Sequence, residues 1–148
     1  MQCLESPTVP VSWGELLDKI TILEIKRERI VRPEARTHVL KEHRLLSAIA
    51  SGVLDAPGIA PLLDGLKRVN EALWEIEDAV REHEAEGRFD DRFVQLARWV
   101  YQRNDERARL KREINQVLNS ELVEEKSYAG FVATGTETAP ELIIGSAD

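Results

Sequence analysis

The chain has 148 residues, of which 43% are hydrophobic, 32% charged and 5% aromatic, with a formal net charge of −7. That length suits one domain that buries a core without staples, filled mostly by aliphatic side chains. The acidic balance argues against a nucleic-acid partner, with a local excess of Arg and Lys between Arg92 and Arg112 as the one counterweight. Cys3 is the only cysteine, which excludes an internal disulfide and a multi-cysteine metal site.

Residues 1–11 carry Pro7 and Pro10 and read as an extended lead-in. A first helix is expected over 12–32. Ser12 and Glu15 have capping-box spacing, and Leu16, Leu17, Ile20, Leu23 and Ile30 follow at helical intervals. Pro33 disfavours helix in the residue before it and fits the first turn of a second helix over 34–51. Val39, His43, Leu46, Ile49 and Ala50 share a face there, and Gly52 is the expected stop.

Ala56-Pro57-Gly58 and Pro61 mark a loop. A third helix over 60–86 carries the stripe Leu62, Leu66, Val69, Leu73, Ile76 and Val80, and Gly87 ends it. His83 lies near that end and reads as a surface residue. A fourth helix over 90–118 opens on an aspartate N-cap and faces inward through Phe93, Leu96, Ala97, Val100, Ile114 and Leu118. The fold class is therefore all-α, about four helices in an antiparallel bundle or long helical hairpins. Residues 12–132 form the domain. Residues 133–148 form a mobile tail rich in Thr, Gly, Ala and Ser. Leu142, Ile143 and Ile144 are the only part of it suited to docking.

The chemistry lies in polar residues on inward faces. Projected at ~100° per residue, Glu24 and Arg27 fall in the apolar arc of the first helix among Trp13, Leu17, Ile20 and Val31. On the fourth helix Asn104, Arg107 and Lys111 replace the aliphatics expected between Val100 and Leu118. Asn70 and Glu77 edge the third helix's stripe, beside Trp74 and Arg81. A desolvated charge must be paired. Two readings follow. In one, Glu24 and Glu77 neutralise Arg27, Arg107 and Lys111, with Asn70 and Asn104 completing hydrogen bonds. In the other, the cluster forms a pocket with surplus positive charge that receives an anion such as a carboxylate or phosphate.

Two acidic pairs, Glu15/Asp18 and Glu77/Asp78, have the residue types for Mg²⁺, although a solvated helix face is the simpler reading. The three histidines show no HExxH spacing, and GxGxxG, Walker A and GxSxG are absent. No stretch approaches the ~18–20 apolar residues of a membrane span, and no secretory signal is visible. The expectation is a cytoplasmic protein without a membrane or nucleic-acid partner, and no cofactor is required. A small anionic ligand, a protein partner and a homo-oligomer remain open.

The strings SWGELLDKITILEIKRERI, VNEALWEIEDAVREHE, ARWVYQRNDERARLKREIN and EEKSY resemble a family of small uncharacterised all-helical bacterial proteins, over roughly residues 11–128. The resemblance implies a link to cell-surface glycan genes and no established activity. It directs attention to Glu15, Asp18, Lys19, Glu24, Lys26, Asn70, Trp74, Glu77, Asp78, Asn104, Asp105, Arg107 and Lys111. Two enzyme classes are similar in residue types alone. Helical chorismate mutases hold a dicarboxylate with Arg, Lys and Glu between helices, but their first-helix Arg and Asp pattern is missing. All-helical nucleotide pyrophosphohydrolases hold Mg²⁺ with acids on two helices, but ExxE followed by ExxD is missing. The working expectation is a helical binding or interaction module. A small enzyme acting on an anionic metabolite, or a structural subunit of a larger assembly, are the alternatives.

Overall fold

The computed structural model describes residues 2–127. Four helices run in the order α1 (Trp13–Arg29), α2 (Pro33–Ala50), α3 (Ile59–Glu86) and α4 (Asp91–Val117), and no strand occurs among the described residues. The expected tail over 133–148, including Leu142 to Ile144, lies outside the described residues.

Local chemistry accounts for most of the boundaries. Pro33 stands at the start of α2, where its missing N–H costs nothing. Gly87 ends α3 in the left-handed region at φ 65°, and Arg88 N–H returns to the His83 carbonyl at 2.9 Å. Asp90 caps α4 by accepting from Phe93 N–H at 3.0 Å. The far end of α4 closes in the same manner as α3, with Asn119 at φ 49° and Ser120 N–H bonded to the Asn115 carbonyl at 2.8 Å.

Helix α1 stops at Arg29, three residues short of the expected limit. Ile30 is already extended at φ −82°, ψ 122°, and the Arg36 side chain reaches back to the carbonyls of Arg27 and Ile30. The expected capping box forms only by half. Ser12 accepts from Glu15 N–H at 3.1 Å, but the Glu15 carboxylate turns to Lys111 instead of back to the cap. His83 is buried rather than superficial: its Nδ1 meets the Ala79 carbonyl at 2.9 Å, and its ring lies beside Phe93.

α1 is the central element. It packs against α2, α3 and α4, whereas α2 packs on α1 alone. Its buried residues run from Gly14 through Ile25 and include Leu16, Leu17, Asp18, Ile20, Thr21 and Leu23. They cover roughly 220° of the helix when projected at ~100° per residue, far wider than a single stripe.

α3 and α4 form a long hairpin. The main core joins Leu16, Leu17 and Ile20 of α1 to Leu66 and Val69 of α3 and Leu110 and Ile114 of α4, with Ala50 and Ile59. A second, smaller cluster of Ile76, Leu96 and Trp99 holds the far part of the hairpin. Arg92 lies over the Trp99 ring there, 4.9 Å from its centroid.

The first turn of α1 is docked by α4. Gly14 N–H donates to Asn115 Oδ1 at 2.7 Å and Trp13 N–H to Ser120 Oγ at 3.2 Å. With Glu15 N–H on Ser12 Oγ and Leu16 N–H on the Ser12 carbonyl, every orphan donor of that turn is satisfied. The approach is close: a Cβ at Gly14 would lie 2.5 Å from the Lys111 carbonyl oxygen. Gly14→Ala is therefore expected to destabilise the protein by about 1–3 kcal/mol in urea unfolding, the usual cost of overpacking, despite alanine's better helix propensity. An unchanged or raised midpoint would show that α1 and α4 do not meet at this position.

Candidate functional site

The core divides where α1, α3 and α4 meet around one carboxylate. Asp18 is 1% exposed. A buried carboxylate is tolerated only when its charge and lone pairs are both answered. Arg107 of α4 answers the charge as a fork, Nε donating to Oδ1 at 2.8 Å and Nη2 to Oδ2 at 2.5 Å. Asn70 of α3 donates through Nδ2 to Oδ1 at 2.9 Å and also to Thr21 Oγ1 at 2.9 Å, while the Thr21 hydroxyl donates to the Asp18 backbone carbonyl. Three helices are tied at one point by groups that give each carboxylate oxygen of Asp18 at least one donor.

One turn further along α4, the side chain of Lys111 is 11% exposed and takes two carboxylates, Glu15 at 2.6 Å and Glu124 at 3.0 Å. Glu124 belongs to the coil after α4, where Lys126 also holds it at 3.1 Å and Glu125 pairs with Arg112 at 2.9 Å. The hydrogen bonds that Arg107 donates to Asp18 hold its pKa above the ordinary value. Burial pulls the Lys111 ammonium down, but the hydrogen bonds with Glu15 and Glu124 outweigh it and leave the pKa raised. Lys111, then Lys126, hold the Glu124 carboxyl below its ordinary range.

Two cavities flank this cluster and share Asn104 and Arg107. The larger, about 430 Å³, is a cleft with apolar walls from Ile22, Ile25, Leu73 and Trp74 and polar groups from Asn70, Glu77, Asp78, Arg81, Asn104 and Arg107. The smaller, about 220 Å³, is lined by Glu15, Asn104, Arg107, Ala108, Lys111, Glu124 and Lys126. Arg107 Nη1 is only loosely engaged, 3.4 Å from Asn104 Oδ1, and the Asn104 amide donates to the Val100 carbonyl.

Of the residues singled out from sequence, Asn70, Trp74, Glu77, Asn104 and Arg107 do line one cleft, and Lys111 adjoins it. The expected pairing is corrected. Glu24 is half-buried on another side of α1, with Lys67 at 3.4 Å and His43 at 3.9 Å. Glu77 is exposed at the rim, with Arg81 at 3.7 Å. Arg27 is half-buried and joins no ion pair among the described residues. The acids that neutralise Arg107 and Lys111 are Asp18 and Glu15, assisted by Glu124.

Glu15 and Asp18 are thus engaged by cations, while Glu77 and Asp78 stand on the rim of the cleft. No group of three or more His, Cys, Asp or Glu able to hold a metal ion occurs among the described residues. No helix there is long and apolar enough to cross a membrane. Arg107 and Lys111 are each matched by a carboxylate among the described residues. Sequence reasoning missed Thr21, Asn115, Ser120 and Glu124. Their only signal was polarity at positions beyond a single apolar stripe.

Residues 8–142 match the family model described as a family of unknown function, DUF6165. The chain belongs to this family. No curated protein and no solved structure matches it. The DUF6165 match spans all four helices and every residue of the cluster, so the family's sequence pattern and the site cover the same stretch of chain.

Two outcomes follow from the pairing. Arg107→Met strands a buried carboxylate and is expected to cost roughly 3–5 kcal/mol in chemical denaturation, part of it recovered by adding Asp18→Asn. An additive or neutral pair would break the assignment. The second outcome concerns pH. Glu124, lowered when folded, contributes stability above its unfolded value of 4.5 that is lost as pH falls through its folded value. Lys111, raised when folded, contributes stability below 10.5 that is lost as pH rises through its folded value. The backbone order of residues 121–127, read by ¹⁵N relaxation, should therefore fall at pH values below 4.5, and Glu124→Gln should remove that acid step. An acid step that survives in the variant would place the titrating group elsewhere.

Proposed function

We propose that this protein is a helical binding module whose ligand sits in the cleft between α1, α3 and α4. The observation that carries the reading is the state of Arg107. Its Nε and Nη2 edge is fixed by buried Asp18, its Nη1 is nearly unused, and the side chain lines both cavities. A guanidinium oriented in advance and half out of water is suited to an acceptor oxygen, and its order is already established before any ligand arrives.

The walls set the rest of the ligand. Ile22, Ile25, Leu73 and Trp74 favour an apolar or ring-shaped body. Glu77 and Asp78 at the rim favour a donor or a cationic substituent opposite the acceptor. Because Asp18 already balances Arg107, the fit is best for a small molecule with one carboxylate, carbonyl or phosphoryl oxygen and an apolar middle. A highly charged anion fits less well. The volume of about 430 Å³ falls within the usual range for small-ligand sites.

A thermal-shift screen of small carboxylates, phosphates and polar neutral compounds, read together with tryptophan fluorescence, tests this. A ligand at about a hundred times its Kd should raise Tm by roughly 5–10 °C. Trp74→Ala should abolish the shift, and Arg107→Lys, which keeps the charge but loses the fork, should weaken it at least tenfold. A panel that gives no shift, or a shift indifferent to Trp74→Ala, would remove the cleft as the site of action.

A further inference from the structure

The smaller cavity has a feature that the cleft lacks: one of its walls is a piece of coil. Residues 121–127 follow α4, and every one of them is exposed, including Leu122 at 41% and Val123 at 47%. No apolar side chain anchors this strap. It is held to the body by the Ser120 hydroxyl on the Leu122 carbonyl, by Glu125 on Arg112 and by Glu124 on Lys111, while Glu124 and Lys126 pair within the strap itself. The Glu125–Arg112 pair is largely exposed and contributes little, and Glu124 reaches Lys111 from a solvent-exposed segment without a packed side chain of its own, so the segment opens readily.

What the strap covers is basic. Glu124 and Glu125 lie on Lys111 and Arg112 of α4, and a further pocket of about 90 Å³ beside the strap is lined by Arg109, Arg112, Lys111 and Lys126. With Glu124 displaced, Lys111 keeps Glu15 alone. Its Nζ and the loosely used Nη1 of Arg107 then stand on the wall of one cavity, with no strap carboxylate between them and solvent.

We propose that the Glu124 carboxylate occupies, from within the chain, a second site for the oxyanion group of a ligand, with residues 121–127 as a displaceable strap. Lys111 and Arg107 supply the donors, and a phosphate or carboxylate that enters takes the place of Glu124. The site shares Arg107 with the cleft of the proposed binding function but does not require that cleft to be occupied. An intramolecular carboxylate competes at an effective concentration of about millimolar, so the free protein binds weakly until the strap is released.

The test titrates inorganic phosphate, and acetate in a parallel arm, into wild type, Glu124→Gln and Glu125→Gln, with affinity from NMR shifts and strap opening from backbone ¹⁵N relaxation. Glu124→Gln should bind phosphate at least tenfold more tightly than wild type, and Glu125→Gln, which frees the strap from Arg112, should move in the same direction. Phosphate should raise the backbone mobility of residues 121–127 in the wild type. A phosphate-only response assigns the site to phosphoryl ligands, and a response to both assigns it to oxyanions at large. The proposal is overturned if phosphate and acetate bind none of the three proteins, or bind without changing strap mobility or responding to Glu124→Gln. Neither result bears on Trp74 fluorescence, which reads the cleft, so failure here and failure of the cleft reading are separable.

Discussion

A carboxylate enclosed by three helices is the constraint around which this protein is arranged. Asp18 can be buried only because Arg107 meets it with a fork and Asn70 adds a third donor at Oδ1. Each of those residues comes from a different helix, so satisfying Asp18 fixes where α1, α3 and α4 stand relative to one another. Without the fork, an isolated buried charge would oppose folding by several kcal/mol. The close approach at Gly14 serves the same geometry, because it lets α1 lie against α4 near enough for the side chains to meet.

The same arrangement divides the hydrophobic interior. Aliphatic packing is dense around Leu17, Leu66 and Ile114 and resumes at Ile76, Leu96 and Trp99. Between the two lie Asn70, Asn104 and Arg107, and the cavities open there. A core interrupted by polar groups is less stable than a continuous apolar one of equal volume. The cluster provides instead an oriented guanidinium beside an apolar wall, which an uninterrupted core could not hold.

The helices were legible because their signals are local. Pro33, Gly87 and Asp90 act within a turn of themselves, and the apolar stripe of α3 needs no partner to be seen. The polar inner face of α4 was legible too, since Asn104, Arg107 and Lys111 break an otherwise aliphatic stripe. The partner acids were not. A projection that assumes one buried stripe puts Glu24 inside and Asp18 outside, whereas a helix wrapped by three neighbours buries both Asp18 and Thr21. Glu15 suits an N-terminal capping role equally well, and only the position of Lys111 decides against it. Asn115, Ser120 and Glu124 act across more than a hundred residues, or across a reversal of the chain, and no spacing records that.

The most direct measurement of the central claim is the NMR signal of the Arg107 side chain. A guanidinium locked in a fork on a buried carboxylate has an Nε–H that exchanges slowly with water and a restricted rotation about its Nε–Cζ bond. The account predicts a sharp, protected Arg107 Nε–H at neutral pH that becomes fast-exchanging in Asp18→Asn while the helices stay folded. An Arg107 Nε–H that exchanges as freely as those of the exposed arginines in the wild-type protein would contradict it.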